Sequence, residues 1–391
     1  MKIPKQIFLL STVLLITFSC KKSKVNDLKA DFKANYADIV YANYEDAYND
    51  ALALKTAIYA LVDTPTDNNL SSARNAWLEA RESYGQTEAF RFSNGPIDDE
   101  DGPEGNINAW PLDESYIDYV EGSSTSGIIN NTSISIDATT LKSLNEQGGE
   151  TNISLGYHAI EFLLWGQDDA NTSLQTPGDR PYTDYVIGGT GTASNQDRRG
   201  AYLKACADIL VEDLLSLVDE WKTGGSYRTI FLSEDDNESI KHILTGIGVL
   251  AKSELAGERI FTALDNQDQE DEHSCFSDNT HRDIILNFEG IYNIYKGEYS
   301  RTNSSLVSGT GFNDILEKQD KKLNEELNEL FESCDAKVKA IPVPFDNALT
   351  QETPGGSGPI NETVTALRNL GDKIAEAAAE LGITIDTSLP E

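Results

Sequence analysis

Between residues 32 and 62, Phe32, Tyr36, Ile39, Val40, Tyr44, Ala47, Ala51, Leu54, Ile58 and Leu61 recur at steps of three and four. That spacing returns each side chain to one face of an α-helix and does not fit the alternation of a strand. A single long helix cannot bury its own apolar stripe, so this segment demands helical partners. Thr64-Pro65 ends it, because the residue before a proline is pushed out of helical backbone. A second helix is expected over 71–92, with Trp77, Tyr84, Glu88 and Arg91 along one face, and a short one over 113–120 after Trp110-Pro111. Residues 154–165 are apolar almost all round, which marks a buried helix stopped by Gly166. Further helices are expected over 198–222, 238–264, 283–297, 311–340 and 361–381, and strand-like alternation is nearly absent. The fold class expected is therefore all-α.

The chain of 391 residues has length for two cores. The Gly-, Pro-, Thr- and Asp-rich stretch 167–195 reads as the connection, giving one helical bundle over 31–190 and a second over 191–391. Phrases that echo one another, TSISIDATTLKSLNEQ from Thr132 and GTGFNDILEKQDKKLNEE from Gly309, leave an internal duplication open. The first residues carry Lys2 and Lys5, an apolar run over 7–18, then Ser19-Cys20, the layout of a secretory signal over 1–19 and too short to span a bilayer comfortably. Cys20 is expected to be lipidated, with 20–30 as tether; ordinary signal cleavage is the alternative. That places the protein in the cell envelope, held to a membrane by lipid, facing the periplasm or the cell surface. A formal charge of −34 opposes phosphate binding and so nucleic acid as a partner, while leaving cations open. In an oxidising compartment Cys206, Cys275 and Cys334 permit one disulfide, and Cys275–Cys334 is the pair expected.

The segment GYHAIEFLLWG, 156–166, carries the sharpest chemical signal. His158 and Glu161 lie three apart on an otherwise apolar helix, and burying either alone is costly. An imidazole nitrogen and a carboxylate oxygen on adjacent turns can bind one transition-metal ion, with zinc and iron among those that accept the mix. The alternative is a histidine satisfied by its neighbour inside a bundle. Such sites need three or four ligands, and Glu88 and Asp113 are the further metal-ligand candidates. Arg91, Glu254, Glu258 and Arg259 are pocket candidates, or else Glu88–Arg91 and Glu258–Arg259 are structural ion pairs. The polar run QEDEHSCFSDNTHRD, 269–283, offers His273, Ser277, Asp278 and His281 to the pocket, or caps the following helix with Ser277 or Asp278. His242 is given no role. There is no HExxH, GxSxG or Walker loop.

Four blocks together resemble the imelysin family of bacterial envelope proteins: AWLEARESYGQTEAFRFSNGPID from Ala76, NAWPLDESYIDYV from Asn108, the GxHxxE of 156–161, and EDEHSCFSDNTHRD from Glu270. The resemblance implies two helical bundles with His158 and Glu161 near their interface, joined at a metal by acids that correspond to Glu88 and Asp113. It also implies a role in iron uptake, alongside other iron-uptake components, or a metallopeptidase activity. A peptidase needs an open metal position, a water and a separate base, and Glu161 cannot easily be both ligand and base. Iron binding through hard oxygen donors and one imidazole is thus the expected function, with hydrolysis as its rival and a pocket for an organic ligand or protein partner as a third reading.

Overall fold

A computed structural model describes the backbone of residues 6–99, 102–168 and 176–390, with side chains from Val25 onward. The side chain of Cys20, and with it the lipidation expected there, lies outside the described residues, as do most of those of the expected signal and tether.

The long stripe forms α1 (Gln6–Asp63), which packs along α2 (Asp67–Thr87) and α4 (Gln196–Trp221). The start of α2 is set by Thr66, whose hydroxyl accepts from the Asn69 amide and satisfies one of the orphan donors of the first turn. Its last turn tightens into a 3₁₀ segment, Glu88–Phe90. Between α2 and α4 lies α3 (Gly156–Trp165), with every residue buried. Gly156 sits at φ 84°, and a Cβ there would come within 2.5 Å of the Ile107 carbonyl oxygen, so the room it leaves is filled by backbone. Gly166, at φ 78°, ends the helix as expected. The Trp77 indole donates to the Tyr157 carbonyl at 2.9 Å and locks α2 to α3.

Next come α5 (Ser226–Ser233) and α6 (Asp236–Val249). The regular helix expected to run on to residue 264 instead widens over Leu250–Phe261 into a π-helical segment. Then α7 (Thr280–Lys296) packs on α2 and leads into a hairpin of β1 (Glu298–Ser300) with antiparallel β2 (Leu306–Ser308). The helix expected over 311–340 is broken into α8 (Phe312–Gln319) and α9 (Lys321–Val338). Asp320 between them takes extended backbone and accepts from the Lys322 and Leu323 amides, trading one helical residue for a cap. Finally α10 (Pro359–Glu380) covers α6, α9 and the π segment.

The fold is all-α, with two short strands among the described residues. The buried apolar side chains form one contiguous cluster from Val25 to Ile383. A fully buried Leu, Ile or Phe contributes about 1.5–3 kcal/mol, so α3 is held chiefly by its apolar flanks and can carry two polar groups. Among the described residues no helix is long and apolar enough to cross a membrane. The expected Cys275–Cys334 disulfide is absent: Cys206, Cys275 and Cys334 are each buried and free.

Candidate metal centre

One turn of α3 separates His158 from Glu161, and their side chains meet at 2.9 Å, Nδ1 to Oε2. They are 1% and 0% exposed. The other Glu161 oxygen accepts from the Ser277 amide at 3.0 Å and the Ser277 hydroxyl at 2.7 Å. The carboxyl is thereby fixed on both sides, while His158 Nε2 is buried with no hydrogen-bond partner. Burial drives the Glu161 pKa up to about 8, against the Ser277 donors and helped by the Asp283 charge. Burial likewise pushes His158 well below its usual range, with His273 and Arg81 adding to the effect, so its imidazole is neutral at pH 7.

Facing His158 is the ring of His273, 4.7 Å away centre to centre and nearly edge-on. His273 Nδ1 meets Asp283 Oδ2 at 2.9 Å, and the Ser274 hydroxyl donates to that same oxygen. Asp283 Oδ1 takes two bonds from Arg81, at 3.2 Å from Nε and 2.9 Å from Nη2. Burial opposes the Asp283 charge, yet Arg81 and His273 hold its pKa far below the ordinary carboxylate range. Arg81 also donates to Asn108 Oδ1 at 2.6 Å, and the Asn108 amide nitrogen lies 3.3 Å from Glu88 Oε1 and 3.4 Å from His273 Nε2.

Glu88 closes this network from the 3₁₀ turn. Its Oε2 takes a 2.6 Å bond from Arg259, whereas Arg91 Nη1 is 3.7 Å away. Burial works against ionisation, but Arg259 and then Arg91 hold the carboxyl down to about 2. Glu88 is therefore a charged partner of Arg259 more than of Arg91. Arg91 turns outward to Asp98 and Glu104, each at 3.1 Å. The expected Glu258–Arg259 pair does not form. Arg259 instead binds Glu254, five residues back, at 3.0 Å, because a π segment closes i→i+5 and aligns those positions. Glu258 is exposed.

His158, Glu161, Glu88, Arg259, His273 and Ser277 thus converge on one buried region, with Glu254 half-buried at its edge. Asp113 does not join them; its carboxylate caps the turn Glu114–Ile117 through the Ser115 amide at 2.9 Å. His281 reaches back to the Asp278 carbonyl at 3.1 Å. Asp278 faces a separate group of carboxylates, and burial with the Asp346 charge raises its pKa to about 7. Sequence reasoning passed over Arg81, Asn108 and Asp283. Arg81 stands four residues after Trp77, on the face already singled out, and Asp283 closes the acid-rich run.

Helical packing around a buried imidazole–carboxylate pair, braced by arginines, defines a helical protein with its polar centre enclosed rather than open in a cleft. The imelysin family model matches residues 40–374, and the chain belongs to that family. It is 26% identical over 346 residues to iron-regulated protein A of Synechococcus elongatus, covering 86% of this chain and 82% of that protein. Its fold is similar to the crystal structure of a Parabacteroides distasonis protein provisionally named iron-regulated protein A precursor. There the TM-score is 0.70 at 20% identity, over 91% of this chain and 95% of the other.

Proposed function

We propose that this protein is an envelope lipoprotein that takes up a metal ion, iron foremost and zinc as the next candidate, in the course of iron acquisition. The observation that carries the reading is His158 Nε2, a buried imidazole nitrogen left without a partner while Nδ1 is held by Glu161. An ion on Nε2 would displace a proton from the pair and leave Glu161 a carboxylate on Nδ1, where it fixes the ring and raises its basicity, which is how metal-binding imidazoles are usually supported. An unpartnered buried polar atom costs about 1–3 kcal/mol, and an ion on Nε2 removes that penalty. The names of the two relatives point toward iron.

Among the described residues no trio of His, Cys, Asp or Glu ligand atoms within 4.8 Å of one another includes His158 or Glu161. His158 Nε2 therefore begins the coordination sphere with Glu161 holding the ring from behind, and the ion completes it with water or ligands it brings. An ion held by few protein ligands can be passed on, which suits cargo better than a structural metal. A peptidase would have to bring a peptide bond to His158, yet His158, Glu161 and His273 are at most 2% exposed.

The test is metal content by mass spectrometry on protein lacking residues 1–19 and purified without a metal-affinity tag, beside His158→Ala, followed by iron, zinc and manganese titrations. Stoichiometric metal lost in the variant is expected, with no cleavage of casein by the loaded protein. Absence of metal from both proteins at micromolar exposure would sink the proposal. The lipid anchor is checked separately by incorporation of labelled fatty acid, expected to vanish in Cys20→Ser.

A further inference from the structure

The loop that carries His273 and Ser277 toward α3 presents other side chains in a different direction. Carboxylate oxygens of Asp168, Asp278 and Asp346 lie within 4.8 Å of one another. They come from three distant stretches: the residues after α3, the 272–279 loop, and the short helix Phe345–Leu349. Asp168 and Asp346 are 9% and 2% exposed. Asp168 also accepts from the Gln269 amide at 2.8 Å.

A group of acids by itself is no site, but Glu272 adds an independent observation. It is fully buried, at 0% exposure, and neither of its carboxylate oxygens has a hydrogen-bond partner. Its carboxyl lies against Asp346 and the Thr280 hydroxyl, with Asp278 also close by. Its own carbonyl is held by the Trp110 indole at 2.8 Å, which keeps the residue in place. A buried carboxyl with no donor at full hydrogen-bonding geometry, set against further acids, makes an arrangement that folding alone disfavours and a cation would reverse.

We propose that Asp168, Asp278 and Asp346, with Glu272 behind them, bind one calcium-sized divalent cation distinct from the ion at His158. All the donors are hard oxygens, which suits calcium over softer metals. Calcium takes six to eight oxygens at about 2.3–2.6 Å in flexible geometry, so mono- and bidentate carboxylates with water satisfy it, whereas magnesium demands a stricter octahedron. The ion ties three stretches of chain together and clamps the loop whose Ser277 holds Glu161. The −34 charge of the chain favours its capture.

The experiment is calcium titration by calorimetry of the chelator-treated mature chain, with melting curves at zero and about 1 mM calcium, the range of extracellular calcium modules. One heat-producing site and a calcium-dependent rise in Tm of several degrees are expected in the wild type and equally in His158→Ala. Both are expected to fall at least tenfold in affinity or vanish in Asp346→Asn and in the more exposed Asp278→Asn, with helical content by circular dichroism confirming that each variant folds. If Asp346→Asn does not fold, Asp278→Asn alone decides. No heat and no Tm change in the wild type would overturn the proposal, leaving Glu272 as a buried acid packed against Asp346. Calcium binding lost in His158→Ala but kept in Asp278→Asn would overturn it too, by locating the ion at the other centre.

Discussion

Two buried polar clusters flank the same helix. On one side Asp118 and Asp184 meet Arg180 and Arg199, and Arg180 also packs on Phe162 of α3 at 5.2 Å. Asp118 Oδ2 takes bonds of 2.6 Å from Arg199 and 2.8 Å from Arg180, and its Oδ1 takes 2.9 Å from Arg199 and 3.2 Å from Asn130. Asp184 is bound by Arg180, Tyr119 and Thr192. Two acids face two arginines and every carboxylate oxygen is met, Arg180 Nε being the one nitrogen of the two guanidiniums that is buried without a partner. On the other side His158 is neutral, Glu161 is held toward its protonated form, and one imidazole nitrogen is left without a partner. Balanced charge with satisfied carboxylates is what a structural cluster needs, whereas at His158 no ion pair offsets the orphaned nitrogen, which costs stability unless something outside the chain meets it.

The largest effect that would test this contrast is at Asp118. Asp118→Ala leaves two guanidiniums buried without their shared acid and is expected to cost about 3–5 kcal/mol in urea denaturation, with metal binding per folded molecule unchanged. A cost below about 1 kcal/mol would show the cluster to be dispensable and break the comparison.

At the His158 centre the pattern inverts. Glu161→Gln keeps the shape and is expected to change stability by only about 1 kcal/mol while lowering metal affinity about 10–100-fold in titration. Equal losses of stability and affinity would make the pair structural.

The pH dependence sharpens the contrast further. Burial raises the Asp118 pKa and the Arg199 and Arg180 contacts more than offset this, so its folded pKa is lowered. A carboxyl with a lowered folded pKa contributes stability that is present above its unfolded pKa of about 3.9 and lost as pH falls through the folded value. The Tm of the wild type is expected to drop steeply below pH about 4, and Asp118→Asn is expected to flatten that limb.

The smallest effect belongs to Glu258, which is exposed and outside both clusters. Glu258→Ala is expected to stay within about 0.5 kcal/mol and leave metal binding untouched. Any larger change would mean that Arg259 depends on it after all.

Much of this was legible in the chain. The three- and four-residue steps through 32–62 and the apolar run 154–165 identify helices because burial follows helical period, and two polar residues inside the second stand out against it. The charge partners were not legible. Arg81 and Asp283 lie 202 positions apart, and Glu88 and Arg259 lie 171 apart, so no local spacing announces them. Of the local pairs expected, Glu88–Arg91 persists as a 3.7 Å contact beside the shorter bond from Arg259, whereas Glu258–Arg259 does not form because the π segment rotates Arg259 toward Glu254 and Glu88.

What the sequence determined by itself is the helical class, the stop at Gly166 and the placing of His158 beside Glu161, all of which depend on neighbours within a turn or two. Only the tertiary structure decided that Asp113 serves as a cap, that Ser277 and His273 close on α3, and that Glu272 is left facing other acids. Those outcomes depend on which helices pack together, because a buried charge is settled by whatever distant group reaches it first, and chain spacing carries no record of that.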